Sequence, residues 1–186
     1  MNESEVRDQL EKCHPSCYGW ALSCSSRDPL EAEDVLQTAY LKVLQGVARY
    51  DGRSAFKTWL FAVIRRTAAD ERRRHWLRRL RLAGYKRERE LSFQPAERGA
   101  RLEESEMLTV FQKALARLPR RQREVLHLVF YQDLSLQEAA GVMGVTVGSA
   151  RAHYERGKAH LREWLKQSEQ FNEYRSDRQQ AQTSFQ

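Results

Sequence analysis

Glycine and proline together supply only 13 of the 186 residues. So few chain breakers exclude collagen-like and Gly/Pro-rich low-complexity sequence and leave long stretches free to be helical. No apolar run approaches the roughly 18 residues of a membrane span, and the opening MNESEVRDQL has neither a basic n-region nor an apolar h-region. A cytoplasmic protein with no membrane span is expected. Cysteine is also scarce: three residues, at 13, 17 and 24, are too few for a disulfide framework, and a reducing compartment would keep them free. Catalytic signatures are missing as well. There is no Gly-rich phosphate loop, no HExxH and no G-x-S-x-G, and His75, His127, His153 and His160 fall at neither ligand nor triad spacing. Neither enzymatic activity nor a cofactor is expected.

What the chain has in excess is positive charge. Lys and Arg number 32 against 25 Asp and Glu, a net +7 with a pI near 9.5, which favours a polyanionic partner. Nucleic acid is the first candidate and an anionic membrane surface the second. The excess is concentrated. From Arg65 to Glu90 eleven cations face four carboxylates, a surplus equal to that of the whole chain. A basic run is usually a solvated helix face or a linker, but this one adjoins an aromatic-rich helix, which strengthens the nucleic-acid reading.

Composition and periodicity divide the chain into four parts: a helical region over 1–75, a charged linker over 76–105, a second helical region over 106–167 and a polar tail over 168–186. No alternating strand pattern of useful length occurs, so the expected fold class is all-α, two small helical domains joined by the linker. In the first region Asp28-Pro29-Leu30-Glu31 reads as a capping box with proline at the first helical position. The helix it opens should run to about Val47, with Val35, Leu36, Ala39, Tyr40, Val43, Leu44 and Val47 as its core stripe and Glu33, Asp34, Gln37 and Thr38 elsewhere. After the turn Tyr50-Asp51-Gly52-Arg53-Ser54, a longer helix from Ser54 through Arg74 should bury Phe56, Trp59, Leu60, Val63 and Ile64.

The second region carries a helix-turn-helix. Pro119 is expected at the first position of a helix reading PRRQREVLHLVF, and Ser135-Leu136-Gln137-Glu138 forms a second capping box. Gly144 then suits a left-handed turn, and Thr146 can cap a last helix from Val147 to about Leu165. At 100° per residue Val147, Ala150, Tyr154, Gly157 and Leu161 gather on its inner side. Ser149, Ala152 and Arg156 lie opposite, flanked by Arg151, His153 and Glu155, in the half of a recognition helix that meets base edges. Arginine reads guanine bidentately, a small side chain meets the thymine methyl, and a carboxylate accepts from cytosine. Lys158 and Arg162 suit phosphates.

Taken together, EAEDVLQTAYLKVLQGVARYDGRSAFKTWLFAVIRRTAADERRR and ALARLPRRQREVLHLVFYQDLSLQEAAGVMGVTVGSARAHYERGKAHLRE resemble the extracytoplasmic-function sigma factors of bacterial RNA polymerase, both domains in order. The second segment alone also looks like the helix-turn-helix of response regulators; the pair is specific. The resemblance implies a sigma region 2-like domain over 1–75 and a sigma region 4-like domain over 106–167. It implies that Asp34, Gln37 and neighbouring Glu33 dock on the clamp coiled coil of core RNA polymerase. By the same resemblance Arg53, Ser54, Phe56, Lys57, Trp59, Arg65 and Arg66 engage the minus-10 element, and Ser149, Arg151, Ala152, His153, Glu155, Arg156 and Lys158 the minus-35 element. A single strand needs an electropositive track with stacking surfaces, which the first set offers. Promoter DNA is thus an expected partner and an anti-sigma factor a further one. The chain departs from the family in carrying Arg66 where members commonly carry Asn, and the resemblance suggests that the linker threads toward the RNA exit path. A helix-turn-helix regulator acting without polymerase is the alternative function.

Cys13, His14, Cys17 and Cys24 invite a zinc reading. Their spacing, with Leu10 and Trp20 or Ala21, instead makes one helical face, so core packing is favoured over metal or redox sensing and no metal site is assigned. Pro15 is expected to interrupt any single helix there.

Overall fold

A computed structural model of the chain describes residues 2–83 and 114–167, and every regular element within them is an α-helix. The linker beyond residue 83 and the tail from 168 lie outside the described residues. Six helices are named here in chain order: α1 Glu3–Cys24, α2 Pro29–Leu44, α3 Phe56–Ala83, α4 Arg120–Phe130, α5 Leu136–Met143 and α6 Val147–Gln167.

The local signals act largely as expected. Asn2 and Glu5 close a reciprocal capping box on α1. The Asp28 carboxylate accepts from the backbone N–H groups of both Leu30 and Glu31, while Asp28 N donates to Ser25 O, so α2 has a one-sided cap in place of the expected box. Ser135 and Glu138 form the box that opens α5, and the two bonds from Ser135 hold the Glu138 carboxyl below its ordinary range. A cap of this kind contributes about 1 kcal/mol. Gly144 ends α5 in the left-handed region at φ 63°, and Thr146 Oγ1 accepts from Ser149 N at 3.2 Å to start α6.

Four expectations are corrected. Helix α1 is continuous through Pro15; a single missing N–H and a displaced carbonyl are tolerated because Leu10, Cys17, Trp20, Ala21 and Cys24 bury one face on both sides of it. Helix α2 stops at Leu44, since Gly46 turns the chain at φ 70°, and this leaves Leu44 and Val47 exposed rather than in the core. Helix α3 begins at Phe56 and runs on to Ala83, well past Arg74, as nothing in its arginine-rich second half breaks a helix. Pro119 stands just before α4, at its cap position, and makes no side-chain cap bond.

Helices α1, α2 and α3 pack on one another, as do α4, α5 and α6. The two groups also touch, α1 against α4 and α3 against α5, and Leu60, Phe61, Ile64, Val125, Leu128 and Val142 belong to one continuous buried cluster. Trp20 lies at its centre with no exposed surface, donating its indole N–H to Phe61 O at 3.0 Å. Each such aromatic removes enough apolar area from water to contribute about 1.5–3 kcal/mol.

Candidate nucleic-acid interface

The exposed face of α2 follows directly from its buried one. With Ala32, Val35, Leu36, Ala39 and Val43 turned inward, Leu30, Asp34, Gln37, Leu41 and Leu44 recur at three- and four-residue steps along the outside, with Glu33 beside them. The three polar residues expected to meet a protein partner are therefore together and accessible. Leu30 and Leu41, 71% and 54% exposed, belong to the same stripe and were not anticipated. A leucine left outside an otherwise well-packed helix is the sign that could have found them. A groove of about 400 Å³ next to this stripe is lined by His14, Tyr18, Glu33, Leu36, Gln37 and Tyr40.

The turn before α3 is built around Asp51, whose carboxylate accepts from Arg53 N at 3.2 Å and pairs with its guanidinium at 3.3 Å. Arg53 and Ser54 are held at the surface there. Tyr50, Phe56 and Trp59 then form a three-ring cluster with centroids 5.3–5.4 Å apart. Phe56 is buried and Trp59 half-buried, and their contacts with Tyr50 brace the turn. Of the cations expected on this helix, Arg66 is exposed. Lys57 and Arg65 are half-buried against the second group of helices: Lys57 Nζ donates to Gln132 O at 3.4 Å, and Arg65 Nε to Glu124 Oε2 at 3.1 Å.

Helix α6 presents the face its periodicity requires except at its first residue, Val147, which is exposed rather than turned inward. Ala150, Gly157 and Leu161 are buried toward α4 and α5, and Ser149, Arg151, Glu155 and Arg156 are exposed, with Ala152 and His153 half-exposed between them. Lys158 lies over the Tyr154 ring and pairs with Glu155 at 3.1 Å, so it is tied down more than expected. Gly157 permits the close approach of α6 to α4. A Cβ there would stand 3.0 Å from Leu126 Cδ1 and 3.2 Å from Gln122 Cβ. The outward strip is thus carried on a rigid, closely packed helix, the geometry of a major-groove reader.

The cysteines belong to the other side of α1. Cys17 and Cys24 are buried, and desolvation pushes both thiols up to about 12, which disfavours the thiolate needed for metal or redox chemistry. Cys13 is half-buried and its thiol is also raised by burial. Among the described residues no group of His, Cys, Asp or Glu is placed to hold a metal, and no helix is long and apolar enough to cross a membrane.

Comparison with known proteins places both halves. Residues 10–78 match the model of sigma-70 region 2, and residues 108–161 that of sigma-70 region 4. The chain is 31% identical over 157 residues to the ECF RNA polymerase sigma factor EcfG of Rhodopseudomonas palustris, covering 84% of this chain and 82% of that one. It is 29% identical to SigX of Bacillus subtilis, another ECF sigma factor, over 75% of this chain and 73% of that protein. Among solved structures it is similar to the sigma factor RpoE of Bartonella quintana, crystallised with the anti-sigma factor NepR, at TM-score 0.67 and 26% identity over 87% of this chain and 97% of that one.

Proposed function

We infer how this chain works from the family to which it belongs, the ECF RNA polymerase sigma factors: it is a transcription initiation factor that binds core RNA polymerase and directs it to promoters. The division of labour that we propose assigns the helices of 1–75 to polymerase and the minus-10 element and those of 106–167 to the minus-35 element. The factor acts in the cytoplasm, by binding rather than catalysis. One observation carries this reading: a single chain holds a basic helix beside an exposed, acidic and apolar α2 stripe, together with an exposed recognition helix. A regulator acting without polymerase needs only the last of these. That an anti-sigma factor binds this chain is suggested by the similarity to a sigma factor solved with one.

In this assignment Glu33, Asp34 and Gln37 meet the clamp of core polymerase, with Leu30 and Leu41 supplying the apolar contact that gives such an interface its affinity. Arg53, Ser54 and Arg66, which are exposed, with the half-buried Lys57 and Arg65, track the separated minus-10 strand, and Phe56 and Trp59 back its bases. Ser149, Arg151, Ala152, His153, Glu155 and Arg156 read the minus-35 duplex, and Lys158 approaches its backbone.

The experiment is co-purification of the tagged protein with bacterial core polymerase, followed by run-off transcription from a promoter library. Stoichiometric association with new start sites supports the reading; sequence-specific duplex binding without association would return the chain to the stand-alone class. Asp34→Lys is expected to weaken polymerase association by about tenfold or more, by setting a cation into the acidic stripe, with minus-35 duplex binding unchanged. Arg151→Ala should cost about 1–3 kcal/mol of duplex affinity with discrimination lost at one base position. An equal loss on all sequences would make Arg151 a phosphate contact.

A further inference from the structure

We propose that the outer end of α3, from Arg73 to Arg81, is a membrane-surface segment: its exposed Trp76, Leu77 and Leu80 enter the headgroup region of an anionic bilayer, and its arginines meet the lipid phosphates. This goes beyond the promoter assignment, which uses α3 only as far as Arg66.

The stretch has none of its side chains packed away. Earlier in α3, Leu60, Ile64, Thr67 and Ala68 are buried against the other helices. Arg72, half-buried, donates to Cys24 O. From Arg73 to Arg81 every side chain is exposed among the described residues, with Trp76, Leu77 and Leu80 at 60, 41 and 50%. A lone leucine on a surface needs no explanation, but three large apolar side chains side by side on a projecting helix mark a surface that meets something.

The direction of this patch suits a flat partner. At 100° per residue Trp76, Leu77 and Leu80 share an arc of about 100°, from which Arg74, Arg78 and Arg81 point away. The arc lies in line with Arg66, Ala69 and Arg73, all exposed, and opposite the side that Leu60, Ile64 and Ala68 bury. A sheet of lipid can therefore run along the outer side of α3 with the helices it packs on behind it.

Charge says which kind of surface. Residues 73–81 hold five arginines and no carboxylate. Arg73 and Arg74 pair back to Asp70 at 3.8 Å and Glu71 at 2.7 Å, and Arg78, Arg79 and Arg81 have no ion pair among the described residues. Cations alone would suit a nucleic-acid backbone equally well. The leucines decide, since sugar and phosphate offer them nothing, whereas the edge of a bilayer takes up leucine and seats tryptophan at its interface. Arg73 and Arg79, beside the arc, are long enough to lay their stems on the apolar layer and keep their guanidiniums among the phosphates. Apolar contact and a polybasic patch are the two signals that together give a lasting hold on an anionic leaflet, and this helix, too polar to span, lies on it. Because the helix is already formed, docking has little left to order.

The test sediments the full chain with vesicles of phosphatidylcholine alone, or of phosphatidylcholine and phosphatidylglycerol in equal parts. The wild type is expected to pellet with the anionic vesicles only, and less as salt rises. Trp76→Gln with Leu77→Gln and Leu80→Gln keeps every charge and uses a good helix former, and should bind these vesicles about tenfold or more weakly, with binding to an unrelated DNA duplex within about twofold. Circular dichroism checks that its helix content is kept. Should it not be, fluorescence decides instead: wild-type tryptophan emission should shift to the blue on anionic vesicles, and Trp76→Phe, which should still pellet, should lose that shift. A wild type that does not pellet overturns the proposal and leaves an acidic protein surface as the occupant. Pelleting undiminished in the glutamine variant, or a blue shift kept by Trp76→Phe, would reduce the binding to net charge and overturn it. An equal loss on DNA would overturn it in favour of a nucleic-acid surface.

Discussion

Trp20→Ala is expected to lower the stability of the folded chain by about 3–5 kcal/mol, the range for emptying a buried aromatic site. For a protein of this size that corresponds to a fall in melting temperature of roughly 6–20 °C. The indole has no exposed surface, and the rings of Phe61 and His127 lie 6.0 and 5.3 Å from it, on helices of different groups. Its loss therefore empties the place where the groups meet as well as the core of the first. Trp20→Phe keeps most of the ring and drops only the N–H bond to Phe61 O, so it should lose much less. Thermal denaturation of the three proteins checks this, and near-equal melting temperatures would show that the centre of the core lies elsewhere.

A second readout comes from His127. Desolvation, with a smaller effect from the Arg27 charge, pushes its imidazole down to about 4. An imidazole in the unfolded chain takes its proton near pH 6.5. With the folded value depressed, the unfolded state binds more protons between those values, so stability is full above about pH 6.5 and declines as pH falls toward 4. In Trp20→Ala, water enters beside the ring and the His127 value should move back toward 6.5, which titration followed by NMR measures directly.

Gly157→Val should have the second large effect, on DNA rather than on polymerase. A Cβ at this position meets Leu126 Cδ1 at 3.0 Å, Gln122 Cβ at 3.2 Å and Leu126 Cγ at 3.3 Å. The leucine tip can rotate away; the Cβ of Gln122 is fixed to its own helix. Gln122 is moreover buried, with Oε1 bonded to His160 Nδ1 of α6 at 2.9 Å. The α4 and α6 backbones must therefore move apart, at about 1–3 kcal/mol for the overpacking. Their separation tilts the strip from Ser149 to Arg156, so minus-35 duplex affinity should fall by more than tenfold, since base contacts tolerate little displacement. Polymerase association through α2 should be unaffected. Duplex binding at wild-type strength would mean that the reading strip does not depend on this close approach.

How far the sequence discloses this molecule depends on whether the deciding force is local. Capping at Asp28, Ser135 and Thr146, the left-handed turn at Gly144 and the outward strip of α6 are set by neighbours a few residues away, and each is legible. The end of α2 is hidden because apolar spacing continues to Val47 while the glycine at 46 turns the chain. Pro15 does not break α1, since a buried face on either side of it outweighs one lost hydrogen bond. The contact of Phe56 with Tyr50 depends on the turn between them, whose path no periodicity gives. The engagement of Arg65 with Glu124 was the least legible. No spacing rule links residues 59 apart, and periodicity says which face is basic without saying what lies against it.

That separation also fixes an order of events. Helices α1 to α3 are made first, and the ribosome adds residues at about 5–20 per second, so roughly 3–12 seconds pass between the synthesis of Arg65 and that of Glu124. During that interval Arg65 has no Glu124 to pair with, as neither α4 nor α5 has yet been made. Every newly made molecule thus completes the core around Trp20 only when its second half emerges, and until then the faces of α1 and α3 that α4 and α5 will cover stand open to water.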